Sequence, residues 1–279
     1  MQKTEGGDST LTLESNDFDL LIHQIKKEKG IDLSNYKSSF IKRRLGIRLQ
    51  NTGNIDYDKY AEYLDNCPNE YDELVKSLSI NVTAFFRDPY VFESFSKLIV
   101  PKLLKNNKSH QGITVLSVGC ATGEEVYSLA MQMTELLNDS VPFKIHGIDV
   151  SKKAIDYAQK GEFSTINNIP KLFLVKYFEP ERHGTYRIME QIQKHTQFHI
   201  ENVVNFNSLI NYDVIFCRNM FMYLEKNTQG KVFEKFHKML KQHGFLILGG
   251  SETIIGKPSE LFEPVLIHER VYKKRDLTS

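Results

Sequence analysis

Residues Gly112 to Tyr127 read GITVLSVGCATGEEVY, and no other stretch limits the possible folds of this chain as much. An apolar, β-branched run (Ile113, Val115, Leu116, Val118) ends in Gly119. Gly123 and the acidic pair Glu124–Glu125 follow and open a helical segment. A buried strand that runs through a Gly-containing turn into a helix is the first half of a nucleotide-binding βαβ unit. Glycine suits that turn because the backbone must bend sharply and approach a ligand without a Cβ in the way. The glycine spacing is not the G-x-G-x-x-G of dinucleotide enzymes, and two glutamates would repel a pyrophosphate at that helix N-terminus. A cofactor without phosphates and with a positive group fits better, and S-adenosylmethionine is such a molecule.

The rest of the composition narrows the function classes. A chain of 279 residues with 41% hydrophobic and 25% charged residues has material for two domains or one large one. Its net charge of +1 gives no global signature for nucleic acid or membrane. Cys67, Cys120 and Cys217 are far apart and not in metal-ligand spacing, and the nine histidines are scattered without HExxH, which points to a reducing compartment and no metal. No apolar run reaches the roughly 18 residues of a membrane span, so a cytoplasmic protein is expected.

Along the chain, residues 1–16 are polar and Gly-containing and are expected to be a disordered leader. From Asp17 the apolar residues Phe18, Leu21, Ile22 and Ile25 follow a helical period, with Asp17 or Asn16 as candidate cap. Helices are then expected over Tyr36 to Leu49, Asp56 to Leu64 and Glu70 to Leu78, so residues 17–80 read as an all-helical domain. The second helix carries Lys42, Arg43, Arg44 and Arg48. Such a cluster is either a solvated face, the commoner case, or a docking surface for an acidic partner.

Residues 81–90 read as a linker that contributes to a site, because Asn81, Thr83 and Arg87 surround the Phe85–Phe86 pair before Pro89 starts a helix. Residues 91–279 then alternate strand and helix, the pattern of a parallel sheet with helices on both faces. The second strand ends at Asp149, where such folds bind ribose hydroxyls, although Asp149 or Ser151 could equally cap the next helix. A short antiparallel β insertion is expected around residues 180–200. A third buried strand, Asn211 to Cys217, ends in Arg218–Asn219, and a last strand covers Val265 to Tyr272.

Five separated stretches resemble motifs of the CheR chemoreceptor methyltransferases. They are Asn81-Val82-Thr83-Ala84-Phe85-Phe86-Arg87-Asp88-Pro89, Gly119-Cys120-Ala121-Thr122-Gly123-Glu124-Glu125-Val126-Tyr127-Ser128-Leu129-Ala130, Gly147-Ile148-Asp149, Ile215 through Tyr223, and Gly249-Gly250-Ser251-Glu252. Their order and spacing match from about residue 17 to the C-terminus. The resemblance implies a class I S-adenosylmethionine-dependent methyltransferase fold, a Rossmann-like sheet, with an all-helical N-terminal domain and a small antiparallel β subdomain. It implies methyl transfer to receptor glutamate γ-carboxylates, giving methyl esters and S-adenosylhomocysteine.

By matching position it places cofactor binding on Asn81, Thr83, Arg87, Glu125, Asp149, Asn202, Val203, Arg218 and Asn219. Arg87 and Tyr223 would face the reacting carboxylate. The partner implied is the cytoplasmic helices of a chemoreceptor, met by the basic face Lys42, Arg43, Arg44 and Arg48. A monomer without nucleic acid or membrane insertion is expected. The chain departs from the family at Ala121, usually Ser, and at Val126, usually Pro, and its segment Glu179 to Arg187 is short.

The chemistry asks for little beyond those residues. The sulfonium is a leaving group already, and a glutamate carboxylate is deprotonated at neutral pH. The site has to desolvate the carboxylate, hold it near the methyl carbon and keep the attack in line. An arginine can grip a carboxylate through two parallel hydrogen bonds, and a tyrosine hydroxyl adds a third donor. Two alternatives stand beside this reading: the same fold with another protein or a small molecule as acceptor, and a non-catalytic S-adenosylmethionine-binding signalling module.

Overall fold

The computed structural model describes residues 9–29, 31–78, 83–106, 112–138 and 140–276, with side chains from residue 17 onward. Asn81, Val82 and residues 1–8 of the expected leader lie outside the described residues. Packing divides the chain into two compact units: Met1–Ile80 with Tyr223–Glu225, and Asn81–Met222 with Lys226–Ser279.

The first unit is helical, with α1 (Ser9–Lys29), α2 (Ser38–Thr52), α3 (Tyr57–Asn66) and α4 (Pro68–Leu78). Helix α1 begins at Ser9, well before the apolar stripe, so Asp17 lies inside the helix and caps nothing. Between Ser9 and Lys29 there is no Gly or Pro to stop it. Helix α2 ends at Gly53, whose φ of 72° suits a left-handed terminator. The Asp56 carboxylate caps α3 by accepting the Lys59 N–H at 2.8 Å. Leu21, Ile25, Leu45, Tyr60, Leu64 and Leu74 form the unit's core and are fully buried.

Residues Tyr223–Glu225 complete this unit through backbone bonds. Lys37 N–H donates to the Tyr223 carbonyl at 2.9 Å, Glu225 N–H donates to Asn35 at 3.0 Å, and Tyr36 and Leu224 form an antiparallel bridge.

Of the basic cluster on α2, Lys42 and Arg43 are exposed. Arg48 is not part of that face. Its guanidinium makes a two-pronged bond to Glu70 at 2.8 and 2.7 Å, and its side chain is only 14% exposed. The Tyr60 hydroxyl donates to the same carboxylate at 2.7 Å. Arg44 is half-buried with its guanidinium 5.6 Å from the Phe40 ring centre.

The second unit starts with α5 (Pro89–Ser94), which continues through a π turn (Phe95–Ile99) into α6 (Val100–Asn106). Then follow β1 (Ile113–Val118), α7 (Glu124–Leu137), β2 (Phe143–Asp149), α8 (Lys152–Lys160), β3 (Glu162–Phe163), α9 (Lys171–Tyr177), β4 (Phe178–Pro180), β5 (Tyr186–Ile188), α10 (Glu190–Gln193) and β6 (Thr196–Ile200). The chain ends with β7 (Tyr212–Cys217), α11 (Lys226–Met239), β8 (Leu240–Leu248), β9 (Phe262–Leu266) and β10 (Val271–Lys274).

Among the described residues the main sheet has the order β6-β2-β1-β7-β8-β10-β9. Strands β6, β2, β1, β7 and β8 are mutually parallel, and β10 runs antiparallel to both of its neighbours. Helices α7, α8 and α11 lie in the crossovers between parallel strands, and a central strand such as β1 is buried almost throughout.

The small antiparallel sheet has the order β3-β5-β4. It therefore draws on residues 162–188, earlier than the expected insertion at 180–200. Phe198 to Ile200 belongs instead to β6, an edge strand of the main sheet paired with β2. Local alternation of apolar residues looks the same in either sheet, so only the long-range pairing separates the two cases.

Candidate active site

In a parallel sheet every strand tip of one sense lies along one edge. Register pairs Val118 with Ile148 and Cys217, Cys217 with Leu248, and Asp149 with Ile200. The loops that leave these tips therefore gather Gly119, Asp149, Asn202, Arg218 and Gly249 along one edge. From β1 the strand order runs one way through β2 and the other way through β7, and ligands of such sheets bind in the crevice at this reversal.

The turn after β1 is tied to β2 through backbone groups. Gly119 and Cys120 N–H both donate to the Ile148 carbonyl, at 2.8 and 3.0 Å. Gly119 has φ of 69°, and no heavy atom lies within 4 Å of where its Cβ would sit. Gly123, with φ of 95°, is crowded instead: a Cβ there would come to 2.9 Å from that of Ala158.

Ala121, a departure from the family pattern, acts through its backbone. Its N–H donates to Asp149 Oδ2 at 2.9 Å, so the missing hydroxyl does not enter this bond. Val126, the other departure, is fully buried in the first turns of α7.

Asp149 also accepts the Ser151 N–H on Oδ1 at 2.9 Å, while Ser151 is the residue that caps α8. Burial pushes the Asp149 carboxyl up, against the pull of those backbone donors. Glu124 is likewise raised by burial, with the Thr122 hydroxyl donating to it at 2.6 Å. The thiols of Cys120 and Cys217 are pushed well above their ordinary value, first by burial and then by nearby carboxylates. Neither is poised as a nucleophile.

Arg218 and Glu125 are brought together directly. Arg218 Nη1 donates to Glu125 Oε2 at 3.0 Å, and the Ser117 hydroxyl donates to Oε1 at 2.8 Å. Arg218 Nη2 donates to the Arg87 carbonyl at 2.9 Å and to Asp88 Oδ2 at 2.5 Å. The Arg218 side chain is 3% exposed and lies over the Phe92 ring. It thus holds the strand tip, α7 and the Arg87 loop in one buried network.

That loop is strained, since Phe86 and Asp88 take φ of 50° and 58°. The Phe86 N–H donates to the buried Ser128 hydroxyl at 2.9 Å, which anchors the loop a second time. Thr83 is half-buried ahead of it.

After β6, Asn202 Oδ1 accepts the Val204 N–H at 3.0 Å and shapes a turn that buries Val203. Lys235 Nζ on α11 holds the same loop through the carbonyls of Val204 and Phe206. Asn219, with φ of 59°, starts the turn after Arg218, and its N–H donates to Glu252 Oε2 at 2.8 Å. Tyr223 belongs to the helical unit, where its ring centre lies 4.9 Å from that of Phe40.

No local sequence pattern marks Asp88, Ser117 or Ser128 as partners of these residues. The available signal was a small polar residue inside an apolar strand or helix, and it names no partner.

S-adenosylmethionine fits the groups present. Space is open at Gly119, the Asp149 carboxylate keeps acceptor capacity beyond its backbone N–H bonds, and Arg218 Nε is a buried donor without a partner among the described residues. Glu124, Glu125 and Asp149 suit a cation rather than a pyrophosphate. Among the described residues no group of His, Cys, Asp and Glu could hold a metal ion, and no helix is long and apolar enough to cross a membrane.

Five parallel strands, a reversed β10 between β8 and β9, a glycine turn after β1 and an acidic tip on β2 define a class I S-adenosylmethionine-dependent methyltransferase. Residues 16–79 match the CheR methyltransferase all-alpha domain, and residues 81–270 match the CheR methyltransferase SAM binding domain. The chain belongs to the CheR methyltransferase family.

It is 30% identical to a chemotaxis protein methyltransferase of Borreliella burgdorferi, over 88% of this chain and 91% of that one. It is 27% identical to a chemotaxis protein methyltransferase of Listeria monocytogenes, over 83% of this chain and 87% of that protein. It is 28% identical to the "Probable biofilm formation methyltransferase WspC" of Pseudomonas aeruginosa, over 82% of this chain but only 55% of that longer protein.

Proposed function

We propose that this enzyme methylates glutamate γ-carboxylates of chemoreceptors, forming methyl esters that adjust chemotactic signalling. The observation that carries this reading is the end-to-end likeness: both family domains occur in order, and the Borreliella protein is spanned over 91% of its length.

Bound S-adenosylmethionine supplies a methyl group already activated by the sulfonium. The chain has to hold the acceptor carboxylate, exclude water and fix the line of attack. Arg87 is assigned the grip on that carboxylate through its two-pronged guanidinium, and Tyr223 a further hydroxyl donor. The cofactor set is Asn81, Thr83, Arg87, Glu125, Asp149, Asn202, Val203, Arg218 and Asn219. Within it, Arg218 spends both terminal nitrogens on Glu125, Asp88 and the Arg87 carbonyl, so its main part is to hold those groups in place.

The protein would work in the cytoplasm as a monomer. Lys42 and Arg43, with Arg44 beside them, would meet acidic receptor helices. Arg48 is withdrawn from that surface because Glu70 engages it.

The test is transfer of radiolabelled methyl from S-adenosylmethionine to purified receptor cytoplasmic fragments. Label released by mild alkali is expected, as carboxyl methyl esters require. Cofactor binding without such label would instead favour a different acceptor, for which the biofilm-associated relative is the motive.

A further inference from the structure

The stretch Gly249-Gly250-Ser251-Glu252 directly follows β8. Glu252 is 5% exposed, yet no cation faces it among its hydrogen-bond partners. Its carboxylate accepts three backbone N–H groups: Asn219 on Oε2 at 2.8 Å, Phe221 on Oε1 at 2.7 Å, and Gly249 on Oε2 at 2.9 Å. Converging N–H groups around a left-handed residue form an anion cradle, and here the chain fills it with its own side chain.

The glycines explain themselves in the same geometry. A Cβ on Gly249 would lie 2.8 Å from the Asn219 nitrogen and 2.9 Å from Glu252 Oε2, so the two loops close only over a bare backbone. A Cβ on Gly250 would meet the Tyr90 hydroxyl at 2.9 Å.

We propose that Glu252 is a positioning residue of the cofactor site, folding the Asn219–Phe221 turn so that the Asn219 side chain is presented at the tip of β7. This rests on the assignment of Asn219 to cofactor binding. Asparagine tolerates the left-handed φ of 59° at Asn219, and the three N–H bonds to Glu252 fix the turn in that one conformation. Arg218 precedes it by one residue and carries the network to Glu125, Asp88 and the Arg87 carbonyl. A carboxylate is the one side chain that can serve three donors with acceptors alone; glutamine turns one acceptor into an NH₂ that faces N–H groups.

The experiment is calorimetric titration of the full chain with S-adenosylhomocysteine, well below each variant's melting temperature. Wild type, Glu252→Gln, Asn219→Ala and the double variant are compared. Glu252→Gln is expected to weaken binding about tenfold, the scale of one lost hydrogen bond to a charged group. In the Asn219→Ala background the same change should have little further effect. Should Glu252→Gln not fold, Glu252→Asp takes its place, since its shorter carboxylate cannot span the same three donors.

Unchanged affinity with a lowered melting temperature would make Glu252 a purely structural residue and overturn the proposal. Additive losses, or an Asn219→Ala variant with full affinity, would overturn it as well. The readout needs no methyl acceptor, so a wrong receptor assignment leaves it untouched.

Discussion

Arg48 lies on the same helix as the exposed Lys42 and Arg43, yet it faces the core and pairs with Glu70. Removing one partner of a buried pair leaves an uncompensated charge and costs about 3–5 kcal/mol. Glu70→Ala is therefore expected to lower unfolding free energy by that amount in urea titration, because it strands both Arg48 and the Tyr60 hydroxyl. Arg43→Glu should leave stability within about 0.5 kcal/mol and reduce receptor methylation at low salt, an effect that fades as salt rises.

Arg87→Ala, by contrast, should lower turnover on the order of 100-fold with the melting temperature little changed, if its proposed grip on the acceptor carboxylate is the role it serves. Gly147→Ala would place a Cβ 2.9 Å from both Phe198 and Val126 side chains, and should cost about 1–3 kcal/mol in the same urea titration.

At this scale the sequence shows which residues are unusual, and not which way they point. Arg218 reads as a ligand-facing residue at a strand tip. Its partners Glu125 and Asp88 are 93 and 130 positions away, so its inward turn depends on contacts that no local pattern encodes.

Elements were legible where one period dominates. The buried run of β1, the acid-opened α7 and the Ser151-capped α8 are strong local signals. The small sheet was harder, because its strands are two or three residues long and the choice between β5 and β6 as members lies in pairing alone. The early start of α1 escaped for another reason: its first turns carry no apolar stripe, so helical propensity was the only cue.

One element also carries a pH response. His146 on β2 donates to or accepts from the Tyr212 hydroxyl at 3.1 Å, and burial, then the charges of His199 and Lys144, hold it below its ordinary value. The unfolded chain then binds more protons than the folded one as pH falls below about 6.5, so stability drops with pH through that window. Melting temperature should fall between about pH 7.5 and 5.5, and fall less in His146→Gln.

At the scale of the molecule, the division into a helical unit and a sheet unit follows the switch of hydrophobic period near residue 80. What that switch does not announce is the return of Tyr223–Glu225 to the helical unit. Leu224 is 1% exposed, and its truncation to alanine should cost about 2–5 kcal/mol. Amide exchange is expected to report the same loss at Lys37 and Glu225, whose N–H groups bond across the Tyr36–Leu224 bridge.

That three-residue return has a genetic meaning. A crossover near codon 80 that exchanged one helical module for another would part Asn35, Tyr36 and Lys37 from the distant segment they pair with. Such a recombinant keeps every helix and still inherits a mismatched joint. The segment around Leu224 and the helical module should therefore descend together, as one heritable set written in two places.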